Sequence, residues 1–468
     1  MSTGPVLSAK LSLEPLDRRD LLSVYTWTGM VDTDATNMSN WSVMQEMVPG
    51  QPPPPPPDLP DGDNELIFNG MAFNSRDCDG LTSATDSFAI VRIQSGYNGT
   101  VALGEALTFG VFDLASGAIA QPTSGTDLNI TGAFTWTGGT LNNTPSAATV
   151  NMYGGGSIVL PGVGNTITTG STLNFASLGG PVQTTITGAG DLLLNGTNAD
   201  AIFVRADANV VKPVQVGSVG AVKGVNSTTQ KLTIEPNAFW GYTGSGTDKL
   251  ELQVVNNGGK FFLSGQVTMQ LTGGGLNNPA YDQGTANNNS AQLEIMNGCN
   301  LDVSAAPKGV SVRGGNVTLT GNPNLPKASQ VALITGKYTM SGGVIGFITP
   351  TQATDGLIWG TFQVIGDVLW SGGVYAPGLD CEPTRPKSSN NWVVAGTMTI
   401  DASGASKPTI VPVPQFLPPG QQPVGTWTVI QTEGPNSQIQ GDNPELVGWT
   451  LLPEIMNGVK KKFSVKKP

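Results

Sequence analysis

Apolar and polar residues alternate in short bursts along most of this chain. Ile90-Val91-Arg92-Ile93, Val101-Ala102-Leu103, Leu107-Thr108-Phe109, Leu128-Asn129-Ile130, Thr149-Val150-Asn151, Thr166-Ile167-Thr168, Thr184-Thr185-Ile186, Leu232-Thr233-Ile234, Leu250 to Val255, Val317-Thr318-Leu319 and Met398-Thr399-Ile400 all show it, with Gly, Asn or Asp between them. A period of two turns one set of side chains inward and the other outward, so each burst predicts a short, half-buried strand.

A longer phrase recurs among these bursts: Gly, any residue, apolar, any residue, large apolar, small polar, Gly or Ser, Gly, then two β-formers. Gly132 to Leu141, Gly336 to Ile345 and Gly366 to Tyr375 are clear copies; Gly110 to Ile119 and Gly259 to Thr268 are looser ones. A repeated strand–glycine–strand unit predicts stacked rungs that share one core. The large apolar residues lie 22 apart from Leu114 to Trp136 and 30 apart from Met340 to Trp370. At roughly 22–25 residues per rung, residues 88–400 hold about 13 rungs, and a strand spacing of about 4.8 Å gives a rod about 60 Å long. The fold class predicted is all-β: a right-handed parallel β-helix (solenoid) with about three strands per rung and with N-terminal and C-terminal caps. Trp136, Met340 and Trp370 occupy one position of the phrase and are expected to point into the coil.

Four regions follow. Residues 1–23 are a leader or tail, with a short helix expected after Pro15 or no fixed structure. Residues 24–87 form an N-terminal β cap with a polyproline loop at Pro52 to Pro57, read as an extended spacer. Residues 88–400 are the β-helix. Residues 401–468 are a Pro-rich linker, expected to break the coil, and a C-terminal β cap whose lysine-bearing last strand, Val459 to Val465, blunts an exposed edge.

Composition narrows the chemistry. Only 12% of the 468 residues are charged and 62 are Gly, which favours strands and turns over helices. Net charge is −11, and no Lys or Arg falls between Arg92 and Arg205, so nucleic acid and sulfated glycans are poor partners. The absence of His excludes Ser-His-Asp and Cys-His machinery. Cys78, Cys299 and Cys381 are read as buried or free thiols. No apolar run is long enough to span a bilayer, and no standard signal peptide or C-terminal β-barrel segment is read in this sequence.

Leu13-Glu14-Pro15-Leu16-Asp17-Arg18-Arg19-Asp20-Leu21-Leu22-Ser23 resembles the leader of large planctomycete surface and secreted proteins. Tyr25-Thr26-Trp27-Thr28-Gly29, with Trp41 and Phe68 downstream, is similar to the N-terminal segment of autotransporter-like β-helix proteins, as are Ser95 to Leu103 and the Trp136 and Trp370 phrases. The resemblance implies a right-handed parallel β-helix outside the cell or on its surface, and no particular chemistry.

Candidate sites are few. Asp32 and Asp34, Asp61 and Asp63, and Asp77 and Asp79 are i, i+2 pairs near glycine. They are read as turn and capping residues, with calcium ligation the alternative. A lyase needs a cation beside acids, and only Arg76 beside Asp77 and Arg385 near Glu382 offer that. A glycosidase needs two carboxylates facing across a cleft. The long cation-free stretch holds only Glu105, Asp113, Asp127, Asp191 and Asp200. Trp136, Trp359, Trp370 and Tyr375 are read as core residues, with sugar stacking the alternative. The reading is a non-enzymatic, exported, surface-associated structural or adhesive protein with no catalytic, cofactor or metal site. Its expected partners are cell-envelope or extracellular polysaccharide, or other copies of itself. A carbohydrate-active β-helix, lyase-like or glycoside hydrolase-like, is the alternative. A side wall of Asn, Thr and Ser favours the first; a clustered Asp/Glu/Arg patch favours the second.

Overall fold

Alternation is realised strand by strand. In Phe134–Trp136 and Leu128–Ile130 the outer two residues are buried and the middle one is half-buried, so each strand gives its apolar side chains to one side only. The computed structural model describes residues 23–44, 59–70, 76–122, 125–142, 148–176, 183–206, 212–217, 219–284, 290–326, 329–347, 352–353, 356–357, 360–381, 389–415, 417 and 421–468. Among them the chain is all-β, and helical residues are confined to the 3-10 turn Met38–Asn40 and to Ser329. The leader to Leu22, the polyproline run, Trp359 and the Glu382–Arg385 pair lie outside the described residues.

Forty-one strands belong to one sheet, in which strands far apart in sequence pair in parallel. The pairings sort into three ladders. The first runs from Val24–Trp27 through Phe134–Trp136 to Glu445–Leu446. The second runs from Cys78–Leu81 through Thr140–Leu141 to Thr426–Thr432. The third runs from the start of Ser87–Ile93 through Thr149–Met152 to Gln438–Gly441. The chain visits them in turn: Leu128–Ile130 is in the third, Phe134–Trp136 in the first, Thr140–Leu141 in the second, and Thr149–Met152 is back in the third, paired on Leu128–Ile130.

Levels on the third ladder begin at Ser87, Leu107, Leu128, Thr149, Thr172, Asp200, Lys231, Gln253, Tyr281, Val310, Tyr338, Val368 and Thr397, thirteen in all before residue 401. The offset between levels runs from 20 residues (Ser87 to Leu107) to 31 (Asp200 to Lys231). Pairing continues past residue 400. The Pro- and Ser-rich stretch carries Thr409–Ile410, parallel to Val374-Tyr375, and Val413–Gln415, parallel to Gly378–Asp380. Antiparallel strands appear at the two ends: Trp41–Met44 lies against Val24–Trp27, and Val459–Lys466 crosses both Thr426–Thr432 and Thr450–Met456. The lysines of that last strand reach the backbone: Lys460 Nζ donates to Gly441 O at 3.0 Å, and Lys461 Nζ donates to Ser437 O.

The recurring phrase proves to be a corner. A positive-φ glycine (Gly117, Gly139, Gly265, Gly343 or Gly373) bends each copy from one ladder to the next, inside a continuous strand in three of them, but the copies sit at different corners. Trp136 stacks on Leu114 in the first ladder, whereas Met340 and Trp370 stack on each other in the third. The expectation that all three share one place is therefore corrected, although all are buried. Glycine is required at the turn for two reasons. Gly139 has φ +73°, a left-handed conformation costly for other residues, and a Cβ there would stand 2.6 Å from the carbonyl oxygen of Gly117 one level below. Gly343 repeats this over Gly315 at 2.6 Å. Inside the ladders, buried apolar side chains form one continuous cluster from Tyr25 to Val465. Each fully buried Leu, Ile or Phe stabilises it by about 1.5–3 kcal/mol.

Candidate functional site

Side chains that face away from this core come into register from level to level. Asn129, Asn151 and Asn174 occupy one column of the third ladder. Their flanking residues Leu128, Ile130, Val150, Met152, Leu173 and Phe175 are buried, so alternation turns the asparagines outward. Asn151 Nδ2 donates to Asn129 Oδ1 at 2.9 Å, and Asn174 Nδ2 donates to Asn151 Oδ1 at 2.7 Å. Each amide donates with its NH2 and accepts with its oxygen, so the column runs head to tail. At the next level the register sets Phe203 opposite Asn174, and a phenyl ring has no amide to continue the run. Asn174 Oδ1 is left without a hydrogen-bond partner although the residue is only 9% exposed. Such an orphaned acceptor costs about 1–3 kcal/mol.

A recess of about 320 Å³ surrounds this end of the column. Asp127, Thr149, Thr172, Asn198, Asp200 and Arg205 line it with Asn151, Asn174 and Phe203. Most of its polar groups are already fixed in place. Thr149 N donates to Asp127 Oδ1 at 2.7 Å, Asn198 Nδ2 donates to Thr172 Oγ1 at 2.8 Å, and Thr233 Oγ1 donates to Asp200 Oδ1 at 3.1 Å. The Arg205 guanidinium lies 4.2 Å from the centre of the Phe203 ring, a cation–π distance, and its Nε is 3.4 Å from Glu235 Oε2. Lys231 Nζ is 3.6 Å from Asp200 Oδ1. The recess thus gathers amide and hydroxyl donors, carboxylate acceptors and one aromatic ring.

Other candidates are placed as follows. Asp32 accepts from Asn37 Nδ2 at 2.9 Å and Asn40 Nδ2 at 2.5 Å, bonds that hold its carboxyl below the usual range. Asp34 Oδ1 accepts from Thr36 N at 2.8 Å, Asp61 Oδ1 from Asn64 Nδ2 at 2.5 Å, and Asp77 Oδ1 from Thr100 N at 2.7 Å. The Asp34 and Asp61 bonds are local turn bonds, whereas the Asp77 bond reaches 23 residues along the chain to the next level. Among the described residues no group of three or more Cys, Asp or Glu is arranged to hold a metal ion. Glu105 Oε1 accepts from Ser83 N at 2.8 Å, Asp113 pairs with Arg92, and Asp191 Oδ2 is 2.6 Å from Lys223 Nζ. Trp136, Trp370 and Tyr375 are buried, as are Cys78, Cys299 and Cys381, none of which is in a disulfide. Burial, with Asp79 nearby, pushes the Cys78 thiol well above its ordinary range.

Sequence reasoning lists Asp127 and Asp200 as isolated acids and does not single out Phe203 or Arg205; the structure sets all four around one recess. The one available signal is the repeated apolar-Asn-apolar burst, whose hydrogen-bonded asparagines lie 22 and 23 residues apart. Comparison of the chain with protein-family models, with curated proteins and with solved structures finds no match.

Proposed function

We propose that this protein is a non-enzymatic, exported, surface-associated structural or adhesive scaffold, built as a right-handed parallel β-helix whose three walls are the three ladders. A right-handed coil is the expected hand because connections between parallel strands of one sheet almost always turn that way. Export and a surface location rest on the leader-like segment at Leu13–Ser23 and the Tyr25–Gly29 segment.

The observation that carries the scaffold reading is the outer surface. The first ladder presents the column Thr135, Ser157, Thr185, and the third presents Asn129, Asn151, Asn174. Several charges are matched between levels: Lys223 with Asp191 at 2.6 Å, Lys260 with Glu294 at 2.5 Å, and Arg313 with Asp282 at 2.6 Å. Such groups are occupied in joining levels and are poorly placed to move protons. One observation favours the carbohydrate-active alternative: Asp127 and Asp200 line the same recess as Arg205.

A turnover screen separates the two. The protein is incubated with pectin, alginate, cellulose and chitin, with and without calcium, and new reducing or unsaturated ends are measured. The scaffold reading expects none. Turnover that disappears in Asp127→Asn or Asp200→Asn overturns it in favour of the enzyme. Cell fractionation with an antibody tests location; a wholly cytosolic protein overturns the export reading.

A further inference from the structure

We propose that the recess at the end of the asparagine column binds a neutral, hydroxyl-rich saccharide unit, an assignment that rests on the surface-scaffold reading. Four observations point to that chemistry. The column ends in Asn174 Oδ1, an oxygen with no partner on a nine-tenths buried residue that itself lines the recess, so the polar run stops at this place with its last acceptor unfilled. Around it stand fixed polar groups of both kinds: amide and guanidinium donors from Asn198 and Arg205, carboxylate acceptors from Asp127 and Asp200. Such alternation suits a ring of vicinal hydroxyls, each of which donates one hydrogen bond and accepts others.

Phe203 breaks the amide run at this one place and contributes an aromatic surface, while the Arg205 guanidinium against its ring steadies it. An aromatic face beside convergent polar groups is what the C–H face of a sugar ring requires. Charge then selects within the class. Two carboxylates and one guanidinium line the recess, and that guanidinium is shared with Glu235, so an acidic sugar gains no net attraction. At about 320 Å³ the space is at the small end of ligand pockets, fitting one unit of a chain that continues along the open wall.

The test is isothermal titration of the full-length protein with cellopentaose, xylopentaose, mannopentaose and trigalacturonic acid, with product ends assayed in the same mixtures. At least one neutral pentasaccharide is expected to bind. Phe203→Ala and Arg205→Ala, both on the outer face, each weaken that binding about tenfold. Thr185→Ala on the first ladder leaves it unchanged. Circular dichroism melts confirm that each variant is folded. The site is overturned if no neutral sugar binds, if Phe203→Ala and Arg205→Ala bind as the parent does, or if trigalacturonic acid binds more tightly. Those results leave the scaffold reading standing. Cleavage of a bound pentasaccharide instead overturns the non-enzymatic reading and leaves the site in place.

Discussion

The levels between residues 107 and 187 and those between 281 and 400 keep the same three-ladder pairing but hold their levels together differently. In the early region, third-ladder levels start at Leu107, Leu128, Thr149 and Thr172, offsets of 21 to 23 residues. It contains no Lys or Arg, and amides connect its outer face. In the late region the levels start at Tyr281, Val310, Tyr338, Val368 and Thr397, offsets of 28 to 30. Its outer face has the bidentate Arg313–Asp282 pair, Nε to Oδ1 at 3.0 Å and Nη2 to Oδ2 at 2.6 Å. The interiors differ too. Trp392 packs against Tyr338, Phe362, Trp370 and Tyr375 with ring centres 5.4 to 6.1 Å apart. The early core is mostly Leu, Ile, Val and Phe, with Trp136 its one tryptophan. Backbone ladders set where levels lie, and either amides or ion pairs can then join their faces. The aromatic core gains area and edge contacts but leaves Trp370 Nε1, Trp392 Nε1 and Tyr338 Oη without hydrogen-bond partners. Burial also drives the Tyr338 phenol far above its ordinary range.

The largest expected contrast is in the cores. Trp392→Ala removes a fully buried ring with four aromatic neighbours and is expected to cost about 4–5 kcal/mol, and Trp136→Ala about 3–4 kcal/mol, within the usual range for buried aromatics. Urea unfolding of both variants checks this; equal losses, or a larger one at Trp136, break the comparison.

Corners come next. Gly139→Ala combines a left-handed φ with the 2.6 Å approach to Gly117 O and is expected to cost about 2–3 kcal/mol. Gly80→Ala, with φ +70° and nothing within 4 Å of the added carbon, is expected to cost only about 1 kcal/mol. Thermal melts of the pair separate crowding from backbone strain, and equal losses would leave strain as the whole effect.

Outer faces give smaller effects, but of different character. Asn151→Ala breaks both amide bonds of the column, an expected loss of about 1–2 kcal/mol that does not change between low and 1 M salt. Arg313→Ala is expected to cost about 1 kcal/mol at low salt and less at high salt, because Arg313 is 47% exposed. A salt-dependent loss at Asn151 would refute the division between amide-joined and charge-joined regions.

The smallest expected signal is chemical. Burial pushes the Cys299 thiol from 9.0 up to about 11. Thiol reagents at pH 8 are therefore expected to modify the native protein very slowly, and all three cysteines rapidly once it is unfolded. Fast native labelling at any of the three would show that the core opens there.

Much of this protein was written locally. Leu128-Asn129-Ile130 and Phe134-Thr135-Trp136 announce strand, inward face and outward face within three residues, because a strand's period of two depends on nothing farther away. The glycines at 117, 139, 343 and 373 announce turns for the same reason: a left-handed φ is a property of one residue. The pairing partner is another matter. Offsets that vary from 20 to 31 residues give the sequence no fixed period from which to read register. For that reason one phrase serves two corners, and Trp136 and Trp370 lie in different ladders. Only the tertiary structure decided that Asn129, Asn151 and Asn174 stack, that Phe203 ends their run 29 residues beyond Asn174, and that Asp127, Asp200 and Arg205 meet around one recess. The physical reason is that a column of outward side chains is fixed by hydrogen bonds between levels, while the number of residues in the intervening connections is free to change without altering the core.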